Sequence, residues 1–283
     1  MHGPDILARF LSVPSSPDKY GVRWQYNSRS DRHSKVGCWG VAFDLLTQSA
    51  LMQAHAKAGK IVVGVNHEMR DFQTNRQKVL DLVIARPTGL LADNTQTLRG
   101  LVEHYGIELS FEEKDKLAAL PDIRVAPVGA VLVALEAKAT MTAHVKSLPR
   151  LYDELNSSHL AIHGASSQAL AIAYVQINNA TNFLSSVINS ERISEGLPAK
   201  MSVHRQPGDT IRVLDKVAQM PRRSGKSGNG FDAIGVTVLD FSNAGDPVDV
   251  VTVAPAPQPG SNFHYDGMIV RMANEYDATF AHI

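Results

Sequence analysis

The chain has a single cysteine, Cys38, in 283 residues. One thiol excludes an intrachain disulfide and a cysteine-built zinc cluster, and it predicts a reducing, cytoplasmic setting. Long apolar runs are also missing. None approaches the roughly 20 residues needed to cross a bilayer, so no membrane partner is expected. The N-terminus, Met1-His2-Gly3-Pro4-Asp5, lacks the basic flank and apolar stretch of a secretory leader. Charge of one sign is absent too, with Lys plus Arg at 28 against Asp plus Glu at 28. Overall neutrality says nothing against phosphate binding, because a local basic surface is what meets phosphate.

What is present is an ordinary globular composition, 44% hydrophobic and 20% charged, which excludes a disordered chain. The length suits one large domain with a substantial core. Residues 1–37 are polar, with Pro4, Pro14 and Pro17, and predict irregular structure. Phe43, Leu46, Ala50 and Ala54 recur near the helix period and predict a helix over 39–57, ended by Gly59. The period then changes. Short β-branched runs at 61–65 and 79–85 predict strands joined by a polar connection over 66–77, and Pro87 and Gly89 close the second. A charged, helical region is predicted over 96–120, with a break at Pro121-Asp122.

Residues 129–138 are apolar on both faces until their C-terminal end, as in a strand of a sheet covered on both sides. A helix over 141–157 and a strand over 169–177 follow. Beyond them the pattern predicts a helix at 208–220, strands at 233–241 and 248–253, and a last helix over 265–280. The fold class expected is mixed α/β: a central mixed sheet flanked by helices, with additional C-terminal strands and helices.

Glu136 and Lys138 are two apart on a predicted strand, so they share one side of it. Both end an intensely apolar segment, where burying a charge is costly without a partner or a metal. Asp81 interrupts a second apolar strand. A metal site explains all three: two carboxylates would bind a hard divalent cation through oxygen, with Mg2+ the ion expected. The cation would polarise a phosphate and activate water, with Lys138 orienting or deprotonating that water or stabilising developing charge.

Asp81 followed by Glu136-Ala137-Lys138 resembles the PD-(D/E)xK nuclease superfamily, which includes many type II restriction endonucleases. The element order over 39–178 resembles its core of a mixed sheet flanked by helices. The resemblance implies a restriction-endonuclease-like fold and a Mg2+-dependent deoxyribonuclease. Asp81, Glu136 and Lys138 would be its catalytic residues, with Asp81 and Glu136 as metal ligands. It also implies double-stranded DNA as substrate and, for a restriction enzyme, a homodimer matching a palindromic site. Residues 1–283 form a single nuclease domain on this reading. Residues 39–178 are its catalytic core, and 179–283 complete the fold and contact DNA.

The match has departures. No proline precedes Asp81, whereas Pro121-Asp122 makes Asp122 a rival first carboxylate. In many relatives a glutamate from the first core helix approaches the metal. Glu68, after the first strand, is a further candidate that departs from that position. Gln176, near the end of the fourth strand, is a third. The window 192–226 is rich in Arg and Lys. Arg205, Arg212, Lys216, Arg222, Arg223 and Lys226 are candidates for the DNA backbone, whose contacts position a duplex without reading its sequence. Arg23, Arg29, Arg32 and Lys35 with Trp24 and Tyr26 form a smaller basic-aromatic region, either an arm along DNA or an ordered tail. Alternatives are a nonenzymatic DNA-binding or scaffold protein with a nuclease-like sheet, and a DNA-repair or phage exonuclease. Gly225-Lys226-Ser227 lacks the upstream glycine of a phosphate-binding loop, and His67-Glu68 lacks the second histidine of a zincin.

Overall fold

The computed structural model describes residues 1–15, 17–71, 74–89, 95–225 and 228–283. The N-terminal segment, expected to be irregular, carries helix α1 (Gly3–Ser12). Pro4 sits in its first turn, where the missing N–H has no partner to lose, and Ile6, Leu7 and Leu11 are buried. The Asp44 carboxylate accepts the backbone N–H of His2 at 2.9 Å and of Gly3 at 2.8 Å, and the Tyr265 hydroxyl at 2.9 Å. That buried acceptor pins the start of α1.

Helix α2 (Arg32–Gln48) begins earlier than its apolar period suggests and is buried without interruption from His33 to Leu46. A helix enclosed all round belongs to the centre of a fold. The single helix expected over 39–57 is two. Ser49 adopts an extended backbone, and its hydroxyl accepts the Met52 N–H at 2.9 Å to cap α3 (Ala50–Lys57).

Strands β1 (Val62–Asp71) and β2 (Arg76–Pro87) form a long antiparallel hairpin. The polar stretch expected as a connection is therefore mostly strand. Exposed Asn66, Glu68 and Arg70 alternate with half-buried His67 and buried Met69 and Asp71, as a one-sided strand requires. Helices α4 (Gly100–Tyr105) and α5 (Phe111–Ala119) fill the predicted helical region, the second opened by a Ser110–Glu113 capping box. Then follow β3 (Val128–Thr140), α6 (His144–Ala165) and β4 (Leu170–Asn178). A short excursion carries β5 (Asn182–Phe183), α7 (Ser186–Ser194) and β6 (Ser202–Val203), none of them expected. The chain ends with α8 (Gly208–Ala218), β7 (Ala233–Asp240), β8 (Asp249–Val250) and α9 (Tyr265–Thr279).

The main sheet is six-stranded and mixed, in the order β1-β2-β3-β4-β7-β8. Its centre, β3-β4-β7, is parallel, and both outer parts are antiparallel. Two cores enclose it. Leu135, Tyr174, Trp39, Phe43 and Ile269 pack on the side of α2 and α9. Ala134, Val175, Leu155 and Val213 pack on the side of α6 and α8. The continuous apolar runs of β3 and β4 are explained by this double cover. Within residues 179–283, β7 pairs along β4 and α9 packs on α2.

Candidate active site

The sheet forks at one place. The ladder between β2 and β3 runs from Pro87↔Val128 to Leu82↔Leu135 and ends there. Past that point β2 stays paired with β1 as far as Asp71↔Arg76, while β3 stays paired with β4 as far as Thr140↔Ile177. Asp81 is the first β2 residue beyond the ladder. Its Oδ2 accepts the Ala137 N–H at 2.9 Å, doing what a strand carbonyl would do. The strand also changes face here: Leu82 and Ile84 pack on the α2 side and Leu80 on the α6 side. Across from Asp81 on β1, Asn66 takes φ +51°, a conformation asparagine tolerates better than most residues.

On the α2 side, the Lys35 ammonium lies 3.0 Å from Asp81 Oδ1 and also hydrogen-bonds the Asn66 side-chain oxygen. Lys35 is only 7% exposed. On the α6 side, alternation along β3 aims Glu136, Lys138 and Thr140 the same way. Lys138 Nζ is 2.7 Å from Glu136 Oε1 and 3.3 Å from Glu154 Oε2 of α6. Lys78 Nζ approaches Glu136 Oε1 at 3.5 Å. Arg150 holds Glu154 from the next turn at 2.5 Å.

Glu136 is 2% exposed, and its second oxygen, Oε2, finds no hydrogen-bond partner among the described residues. Burial pushes its carboxyl above the ordinary range. Lys138 opposes that push, the Asp81 charge adds to it, and Lys78 opposes it again. Burial alone would lower the Lys138 pKa, but Glu136, Glu154 and Asp81 outweigh it and hold the ammonium above its ordinary value. Glu154 is also partly desolvated, yet its bonds to Arg150 and Lys138 keep it ionised to lower pH than usual.

A cleft of about 460 Å³ opens over this fork. Asp81 and Lys138 lie in its wall, with the segment before α2, the start of α6, Arg150 and Glu154. Burial pushes the His33 imidazole, also in the wall, down to about 4 against the pull of Asp81 and Asp31, so it is neutral near pH 7.

Glu136 and Lys138 are thus paired, and Asp81 bonds the backbone N–H of Ala137 between them. The rival Asp122 lies elsewhere: its carboxylate accepts the N–H groups of Arg99 at 3.1 Å and Ile123 at 3.0 Å in the turn before β3. Glu68 lies exposed on the outer hairpin, opposite Val79. Gln176 is fully buried under α2, beside Gly37, and donates to the His33 carbonyl at 3.4 Å, away from the Glu136 side. Arg223 points inward, pairing with Asp232 at 2.8 Å and donating to the Ser167 and Ala169 carbonyls. Arg222 stacks over Phe263 and Lys216 over Tyr152. Arg212 is exposed beside Asp209, and the Arg205 N–H is bonded to the Asp209 carboxylate. Lys226 lies outside the described residues.

Lys78, Glu154 and Arg150 are not legible in the sequence as site residues, and Lys35 stands there only as part of the basic-aromatic region. The one signal available is the i, i+4 spacing of Arg150 and Glu154 on a helix adjoining the Glu136 strand.

Carboxylate oxygens are the donors a hard divalent cation takes. The strand fork offers two carboxylates, one with a buried, unpartnered oxygen. Mg2+ needs only one or two carboxylates, since water and phosphate complete its shell. Among the described residues no group of three or more His, Cys, Asp or Glu side chains gathers as a metal cage. No helix among them is long and apolar enough to cross a membrane. Comparison with family models, with curated proteins and with solved structures finds no match to this chain.

Proposed function

We propose that this chain is a Mg2+-dependent nuclease that hydrolyses DNA phosphodiester bonds on a restriction-endonuclease-like sheet. The observation that carries the reading is that Asp81 bonds the Ala137 N–H, between the paired Glu136 and Lys138, where β2 and β3 part, with Asp81 and Lys138 lining an open cleft. A forked sheet lets carboxylates from adjacent strands reach one point without breaking the core on either face. The unpartnered Glu136 oxygen marks where positive charge is wanted.

Asp81 and Glu136 would hold the ion. When bound, it supplies a Lewis acid at the scissile phosphate and lowers the pKa of an attendant water. The chain's own residues do the rest. Lys138 keeps its proton in this setting, so its part is a charged donor that orients water or steadies negative charge on phosphoryl oxygen. Glu154 and Arg150 fix where that donor points. Lys35, on the other side of Asp81, fixes the carboxylate's rotamer.

Duplex DNA is the substrate on this reading, and a homodimer is the working form. The direct test is nicking of supercoiled plasmid in magnesium and in chelator. Magnesium-dependent nicking supports the reading. Folded protein that leaves plasmid and linear duplexes intact refutes it, and attack on linear DNA alone identifies an exonuclease. Sedimentation with and without DNA tests the homodimer.

A further inference from the structure

Helix α6 has 22 residues, and its first turn is built against the usual rules. A helix N-terminus carries partial positive charge and free N–H groups, so it favours a Ser, Thr, Asp or Asn cap and acidic first-turn residues. Here Ala143 holds the cap position, no side chain caps the helix, and the first turn has no acidic residue. Basic Lys146 stands in the first turn, with Arg150 in the next. Thr142, Ala143 and Ser147 line the wall of the same cleft as Lys138.

A second observation is independent of the helix. Thr140 also lines that cleft, is 2% exposed, and its Oγ1 has no hydrogen-bond partner among the described residues. Thr140 follows Lys138 on the same side of β3, one strand repeat, or about 6.7 Å, further along. A buried hydroxyl without a partner is costly. An uncapped helix end beside it is the complementary deficit, several donors lacking an acceptor. One ligand oxygen group satisfies both.

We propose that the N-terminus of α6, together with Thr140, is a phosphate subsite. It receives a phosphodiester neighbouring the one held at Lys138 and so sets the path of the strand through the cleft. The assignment rests on the nuclease reading and adds to it which wall of the cleft the backbone follows. Backbone N–H groups and the Thr140 hydroxyl donate to the phosphate oxygens, while Lys146 supplies charge at the rim. Contacts of this kind position a strand and are blind to its sequence.

The test uses Ala143→Asp and Thr140→Val in the full chain. An aspartate at the cap would satisfy the helix end from within, so Ala143→Asp keeps or raises the melting temperature while placing negative charge in the subsite. Binding of a fluorescent duplex in chelator is measured over a salt series. Ala143→Asp is expected to weaken binding about tenfold. It should also flatten the slope of log affinity against log salt by about 0.9, the share of one neutralised phosphate. Thr140→Val should weaken binding several-fold while keeping or raising stability, because it removes a buried hydroxyl without a partner. Wild-type affinity and slope in both folded variants would overturn the subsite and leave the nuclease reading standing. Wild-type protein that neither binds nor cuts DNA would overturn both.

Discussion

Asp81 and Ala137 are joined by a side chain where a backbone should be: the carboxylate Oδ2 takes the amide N–H at 2.9 Å, and the two strands separate from that point. The other oxygen holds buried Lys35 at 3.0 Å. The aspartate therefore closes the ladder and opens the site at once. This joint role has measurable consequences.

Lys35→Met should destabilise the protein by about 3–5 kcal/mol, because it strands a largely buried carboxylate. Asp81→Asn should cost less, since the amide oxygen can still accept the Ala137 N–H. The double variant should recover part of the Lys35→Met loss. Urea denaturation of the four proteins gives the coupling directly, and a coupling near zero would remove Lys35 from the site. Both single variants should cut plasmid far more slowly than wild type.

Glu136→Gln is expected to stabilise the apo protein at neutral pH. Burial raises the folded-state pKa of this carboxyl above the 4.5 of a free glutamate, with Asp81 adding to the effect. A raised carboxyl contributes stability that is fully present below the unfolded pKa. That contribution is lost as pH rises through the folded value. The variant's advantage should therefore be small at pH below 4.5 and grow above it. Magnesium should narrow the gap by stabilising the wild type alone. Thermal melts across pH, with and without the ion, decide this. An advantage independent of pH would contradict the assigned cause.

Arg223 and the α8 cations Arg212 and Lys216 should separate cleanly. Arg223→Ala breaks a buried pair with Asp232 and is expected to cost about 3–5 kcal/mol of stability. Arg212→Ala with Lys216→Ala should leave stability within about 0.5 kcal/mol. If α8 meets DNA, the double change lowers the salt slope by about 0.9 for each phosphate that is no longer neutralised. A stable Arg223→Ala protein with weakened DNA binding would reverse this assignment.

His159→Phe should blunt acid unfolding. Burial pushes the His159 pKa down to about 4, with neighbouring His163 adding a little. A depressed base gives stability that is present above its unfolded value of 6.5 and is lost as pH falls through 4. Phenylalanine removes that proton sink and keeps the edge contact with Phe231. The wild type should lose stability between pH 6.5 and 4 faster than the variant; parallel curves would count against the burial argument.

The core of this molecule was legible because burial on both faces writes continuous apolar runs, and β3 and β4 carry them. Glu136 and Lys138 stood out as charges at the end of such a run, and Asp81 as a break within another. Other parts leave weaker marks. The outer hairpin is half polar because only one of its faces is covered, so residues 66–77 resemble a loop. Helix α1 hides behind Pro4 and a short length. The corner at Ser49 depends on one hydroxyl finding Met52, which no period reveals. Lys35 is a surface-type residue by composition, and it becomes a site residue because α2 is enclosed and Asp81 lies opposite.

The parallel centre of the sheet sets an order of events during synthesis. Strand β4 borders β3 on one side and β7 on the other, and β7 leaves the ribosome more than 50 residues after β4 ends. Until it arrives, Val175 and Ile177 have an open edge, and α2 lacks the cover of α9. Such an edge invites pairing with another chain. The nascent protein is therefore most exposed to aggregation in the interval when its carboxylates are already made but the sheet beneath them is not yet closed.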